Sequence, residues 1–192
     1  LGYIGEFPRA NLTLDLRLYR DELDDLITDV ALQPSPPDPI PATRTFVNEQ
    51  EATVTGAEAQ LHWRPVRHGL LRLAYAWADV DSSSAELVDS TPRHTLSLLG
   101  SYRFSERLSG SATWYYVDDQ LWLGAAGDPI PDYDRLDLRL AYNFRFGGKT
   151  AELSGVVQNL FDDYHDFRLD PDDPKRRNLF ERQAWLSLRL EL

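Results

Sequence analysis

The chain has 192 residues with 20 Lys and Arg against 31 Asp and Glu, a net charge of −11, and no cysteine. The charge disfavours nucleic acid, since no basic patch interleaves with aromatics, and the missing cysteine excludes disulfides, thiolate metal sites and cysteine nucleophiles. Mean hydropathy is −0.44, and no run approaches the ~18 apolar residues of a membrane helix, but a membrane β-strand needs only about 9–11 residues with every second one apolar.

In chain order the dominant signal is a period of two. Residues 1–7 read as the tail of an earlier strand. Leu12, Leu14, Leu16 and Leu18 then alternate with Thr13, Asp15, Arg17 and Tyr19. Ala57, Ala59, Leu61 and Trp63 oppose Glu58, Gln60, His62 and Arg64, and Leu71, Leu73, Tyr75 and Trp77 oppose Arg72, Ala74, Ala76 and Ala78. Leu136, Leu138, Leu140, Tyr142, Phe144 and Phe146 alternate with Asp137, Arg139, Ala141, Asn143 and Arg145. The last ladder is Leu186, Leu188, Leu190 and Leu192. Period two means strands with one apolar and one polar face; on a helix these leucines would scatter around the axis. The expected strands are 10–27, 46–64, 70–81, 94–104, 108–123, 133–146, 150–162 and 181–192.

The connections alternate in length. Short turns fall at Pro8–Asn11, Arg64–Gly69, Ser105–Arg107 and Gly147–Lys149. Long segments rich in Asp, Pro and Ser fall at 28–45, 82–93, 124–132 and 163–180. Pro34, Pro36, Pro37, Pro39 and Pro41 cannot belong to a central strand. Outer-membrane barrels have this asymmetry, with short periplasmic turns and long outer loops. Trp63, Tyr102, Phe104, Tyr142, Phe144 and Phe146 lie next to the short turns, and Trp77, Tyr116 and Trp122 near the opposite ends. Two aromatic bands suit interfacial girdles. The fold class is therefore read as all-β: an antiparallel, up-and-down transmembrane barrel. A soluble β-sandwich would have to hide the leucine ladders between two sheets.

The segment Val156-Val157-Gln158-Asn159-Leu160-Phe161-Asp162-Asp163-Tyr164 resembles the "NLFD…Y" signature near the end of TonB-dependent receptors. Weaker likenesses are Thr55-Gly56-Ala57-Glu58, Thr91-Pro92-Arg93-His94 and Tyr133-Asp134-Arg135-Leu136-Asp137-Leu138. One departure is the final residue, Leu192, where the family usually ends on Phe or Trp, the residue read by the barrel insertion machinery. The resemblance implies that residues 1–192 are the carboxy-terminal part of a receptor barrel, about its last eight strands, with the amino-terminal plug and the TonB-engaging motif absent. The chain starts at Leu1, has no Met and shows no leader, which reads as a mature piece or a fragment. The resemblance also implies the bacterial outer membrane, surrounding lipid, the TonB complex as partner and energy-coupled uptake of a scarce nutrient such as an iron–siderophore complex. The alternative is a complete eight-stranded barrel with a structural or adhesive role.

No catalytic residue, cofactor or metal site is assigned. Asp15, Arg17, Glu58, Arg72, Arg139, Asn143, Arg145, Glu152 and Gln158 should point into the lumen, where the simpler reading is that they solvate it and pair with neighbours or a plug. Asp170, Asp172 and Asp173 precede Lys175, Arg176 and Arg177 and read as a solvated outer loop rather than a calcium site. His62, His68, His94 and His165 show no shared ligand spacing, and no serine sits in a nucleophile elbow. Trp122, Tyr164, His165, Phe167 and Arg168 mix aromatic and polar groups in outer loops and could contact a ligand, although a variable surface loop is the simpler reading.

Overall fold

A computed structural model describes residues 1–32, 43–121, 129–162, 164–165 and 179–190. Alternating residues build β1 (Gly2–Phe7), β2 (Leu12–Leu32), β3 (Thr43–Trp63), β4 (Gly69–Ser82), β5 (His94–Arg103) and β6 (Leu108–Val117). Two two-residue strands, β7 (Gln120–Leu121) and β8 (Pro129–Ile130), pair with each other. The remainder is β9 (Tyr133–Phe146), β10 (Lys149–Gln158), the short pair β11 (Tyr164–His165) and β12 (Leu179–Phe180), and β13 (Gln183–Leu190). Nine strands form one antiparallel sheet in the order β1-β2-β3-β4-β5-β6-β9-β10-β13. β1 and β13 are its two edges, so among the described residues the sheet is open. Nine members with unpaired ends do not fit a closed eight-stranded barrel, in which first and last strands pair.

The sheet is a single layer. No large side chain is fully buried among the described residues, and the buried apolar positions are Ala52, Ile130, Ala141 and Ala151. Leu18 is 55% exposed, Leu140 54% and Leu188 60%. A second sheet would have covered these leucines; among the described residues none does, and the sandwich alternative falls with that observation. On β9 the apolar positions run from Leu136 to Phe146, which at ~3.3 Å per residue and a tilt of about 40° spans a band of the ~25 Å that a membrane barrel presents.

Turn chemistry accounts for the short connections. Gly147 and Gly148 have φ of 59° and 81°, and two successive positive values make the tight hairpin turn between β9 and β10. A single three-ten turn, Pro8–Ala10, joins β1 to β2 and closes on Asn11 in the left-handed region, whose N–H donates to the Pro8 carbonyl at 3.2 Å.

Several strand ends differ from expectation. The segment expected as a loop at 28–45 is partly strand, because β2 runs on to Leu32 and β3 starts at Thr43. A register shift between Leu23 and Leu26, with Asp25 at φ 56°, offsets the alternation there, so a strict period of two ends before the strand does. The strand expected over 108–123 stops at Val117. Two consecutive carboxylates, Asp118 and Asp119, follow, and Asp has poor strand propensity. The strand expected over 150–162 ends at Gln158, because Asn159 and Asp162 take left-handed backbone at φ 51° and 63°. Within 82–93 a short helix, α1 (Ala85–Asp89), is capped by Ser84, whose hydroxyl accepts from Leu87 N–H at 3.4 Å. Trp122, Phe167, Arg168, Leu192 and the Asp170–Arg177 cluster lie outside the described residues, and of Tyr164 and His165 only the backbone pairing is described.

Candidate functional site

Strand register decides which side chains meet. Arg17 pairs with Glu58, Glu58 with Ala76, Ala76 with Thr95, Thr95 with Val117 and Val117 with Tyr133. The next row is Asp15, Gln60, Ala74, Ser97, Tyr115 and Arg135, and the one after it is Thr13, His62, Arg72, Leu99, Thr113 and Asp137. These rows share one face. Asn143 opposite Glu152, Arg145 opposite Thr150, Arg139 opposite Val156 and Gln158 opposite Gln183 continue it. Every residue expected to point into a lumen therefore lies on this polar face.

The small side chains of Ala74, Ala76, Thr95 and Ser97 leave two hollows on it, of about 620 and 540 Å³. Glu58 and Gln60 flank the first on one side, Tyr115, Tyr133 and Arg135 on the other. The Arg135 guanidinium lies 5.6 Å from the Tyr115 ring centroid and donates to both Asp137 oxygens at 2.9 and 2.7 Å. Arg17 and Glu58 are 3.8 Å apart, Arg139 and Glu152 2.6 Å. The arrangement is a hydrogen-bonding wall with internally matched charges, suited to holding a polar ligand or a polar protein surface.

Tyr115, Tyr133, Arg135 and Asp137 were not among the lumen residues singled out from sequence. Parity could have found Arg135 and Asp137, which are in phase with Arg139; the neighbourhood of Tyr115 needs register across strands. Among the described residues no group of three or more His, Asp or Glu is placed to hold a metal. The histidines come apart: His62 is on the polar face, His68 accepts from Arg103 in a short turn at 2.8 Å, and His94 bonds Tyr75 on the apolar face at 2.8 Å.

The opposite face is apolar and bounded by aromatics. Near the short turns, Trp63 donates its indole N–H to the Ala10 carbonyl at 3.1 Å, and Tyr102 meets Phe104 edge-on at 5.3 Å. Near the other end Trp114 donates to Asp134 at 2.7 Å and Tyr116 to Asp118 at 3.2 Å. Each ring has an apolar body and a polar tip, as interfacial belts require.

The Asn159–Asp162 turn acts as a clasp. The Asp137 carboxylate accepts from Asn159 N–H at 3.0 Å, and Leu160 N–H donates to the Leu136 carbonyl at 2.8 Å. Asp162 accepts from Arg182 N–H at 2.6 Å, just before β13. The turn thus ties β9, β10 and the start of β13 together.

The sequence model of the family described as TonB dependent receptor-like, beta-barrel matches residues 1–160. The siderophore receptor PiuA of Acinetobacter baumannii superposes with a TM-score of 0.70 at 19% identity, over 97% of this chain and 27% of that one. The ferric-catecholate import receptor Fiu of E. coli K12 gives 0.65 at 18% identity, over 97% and 26%. The ferripyoverdine receptor of Pseudomonas aeruginosa gives 0.61 at 20% identity, over 84% and 22%. The chain thus spans roughly a quarter of the length of these receptors. No curated protein matches it significantly. With the family match covering most of the sequence and the same sheet in solved receptor barrels, the chain belongs to the TonB-dependent receptor family and its strands are wall of that family's antiparallel transmembrane β-barrel.

Proposed function

We propose that this chain is the carboxy-terminal wall of an outer-membrane receptor that imports a scarce nutrient, with an iron–siderophore complex as the leading substrate class. The observation that carries the reading is the two-faced single sheet: an aromatic-bounded leucine face that no described residues cover with a second layer, backed by a charged and hydroxylated face. In a bilayer the leucines meet lipid, and backbone groups are satisfied only if the sheet closes, so further strands join β1 to β13. The polar face then lines the lumen, against a plug that couples to TonB. The hollow between Glu58 and Tyr133 is one place where the lumen wall meets plug or substrate. Siderophore transport is supported by the solved receptors that share the fold, and insertion would use the barrel insertion machinery.

The test is deletion of the whole receptor gene in its own bacterium, followed by uptake of radio-iron carried by a panel of catecholate, hydroxamate and mixed siderophores. Loss of uptake for one siderophore, reproduced in the intact strain by a protonophore or by deletion of TonB, supports the reading. Unchanged uptake across the panel under iron starvation overturns the siderophore assignment.

A further inference from the structure

The last strand has a register that its own pattern does not fix. Leu186, Leu188, Leu190 and Leu192 repeat one residue type at every second position. A slip of one residue would throw them onto the polar face. A slip of two, in either direction, keeps every leucine on the apolar face and again sets a leucine opposite Leu153. Burial does not choose between these settings, since β13 is exposed at all 8 of its positions. Charge does little more, because Glu152, the partner of Arg189, is bonded to Arg139 instead. A short turn would set the register of a hairpin, but this connection runs from Asp162 to Arg182. The two-residue pair β11–β12 inside it belongs to a separate sheet.

The strand does have one fixed point, at its start. The Asp162 carboxylate accepts from Arg182 N–H at 2.6 Å, and the Arg182 guanidinium donates to the Leu160 carbonyl at 3.3 Å. Arg182 immediately precedes Gln183, the partner of Gln158. The other half of the clasp cannot follow a sliding strand. Asp137 holds Asn159 N–H, the Leu136 carbonyl holds Leu160 N–H, and Asp162 N–H closes the turn on the Asn159 carbonyl at 3.0 Å. Asn159 is 2% exposed. A two-residue slip would carry Arg182 roughly 7 Å along the strand direction and break both of its bonds to the turn.

We propose that the Asn159–Asp162 turn is a register lock for the last strand. It selects one setting of β13 on β10 among several that the leucine ladder would accept. β13 is an edge of the sheet, so any strand that joins its free side inherits that setting. A barrel closes only at a fixed stagger between strands. The lock acts within this chain, and only its consequence for closure rests on the reading that further strands join β1 to β13. A receptor that imports no siderophore would still show it.

The experiment reads register in the full receptor, folded in the outer membrane, through introduced cysteine pairs; the present chain has no cysteine of its own. Ser154→Cys with Ser187→Cys joins two residues that face each other. Ser154→Cys with Trp185→Cys, or with Arg189→Cys, joins diagonal neighbours roughly 7 Å apart in this register, too far for a disulfide. With the clasp intact, oxidation and peptide mass spectrometry should find the facing disulfide and only background from the diagonal pairs. Asp162→Ala should raise a diagonal disulfide by about tenfold, the population shift that follows loss of a hydrogen bond to a charged acceptor. Asp162→Asn keeps an oxygen acceptor and should stay close to the parent. If Asp162→Ala yields no folded receptor, the facing disulfide should restore folding by holding the same register. Diagonal disulfides at background in folded Asp162→Ala, or a folding defect that the facing disulfide does not rescue, would overturn the proposal.

Discussion

Arg139 donates to Glu152 at 2.6 Å across β9 and β10, and the bridge runs diagonally over the pair Ala141–Ser154. Those two residues are 1% and 5% exposed. The ion pair roofs a small-residue patch of the polar wall, so the burial of Ala141 and Ser154 follows from a charge contact and not from a second layer of protein. Because the pair is partly exposed, solvent screens it. A double-mutant cycle with Arg139→Met and Glu152→Gln on the folded receptor should give a coupling of about 1 kcal/mol that shrinks with added salt, read from denaturant midpoints. A coupling indistinguishable from zero at low salt would remove the bridge as a stabilising contact.

The Tyr19 ring occupies the space beside Gly56, its cross-strand partner, and a Cβ at Gly56 would collide with it. Gly56→Ala should therefore destabilise the receptor by about 1–3 kcal/mol, the usual cost of overpacking. In a Tyr19→Ala background the same change should be nearly neutral or stabilising, since strands favour Ala over Gly. Thermal midpoints of the four proteins decide it.

The apolar face sets a depth-dependent tolerance to charge. Leu138→Arg, in the middle of the band, should cost about 2–4 kcal/mol, and Phe146→Arg, beside the short turn, about 0–1 kcal/mol. Ser111→Arg, on the polar face opposite Arg139, should leave the amount of folded receptor in the outer membrane within a factor of about two, as expected for a wet lumen. Folded yields that fail to separate Leu138 from Ser111 would reverse the assignment of faces.

At the β9–β10 turn, Gly147→Ala and Gly148→Ala should each cost about 1 kcal/mol, because each places a side chain at positive φ. Asn at position 147 with Gly retained at 148 should recover most of the loss, since that pair suits the same turn. Refolding yields into vesicles would show the order.

The clasp should be visible by hydrogen exchange. Asp137→Ala removes the acceptor for Asn159 N–H, and Asp162→Ala the acceptor for Arg182 N–H. Each substitution should speed exchange at its own donor by about tenfold or more, the effect of losing about 1.4 kcal/mol or more of protection. Asp137→Asn, which keeps an oxygen acceptor, should lie between the parent and the alanine variant.

The sequence by itself determined the strands, their two faces and the alternation of short and long connections. Side chains in a strand must point to opposite faces, so Leu136 to Phe146 and Leu12 to Leu18 declare their faces without any neighbour. It also carried the family, through Asn159 to Asp162 near the end of the chain. It could not place boundaries where backbone departs from period two, as at the bulge after Leu23 and the left-handed Asn159. Only the tertiary structure decided register, and with it which residues of distant strands share a row: Gln60 with Tyr115 and Arg135 around one hollow, Gly100 with Ala112 and Leu138 on the apolar face. A row across a sheet is fixed by hydrogen-bond pairing between strands far apart in the chain, and no pattern within a single strand encodes that pairing.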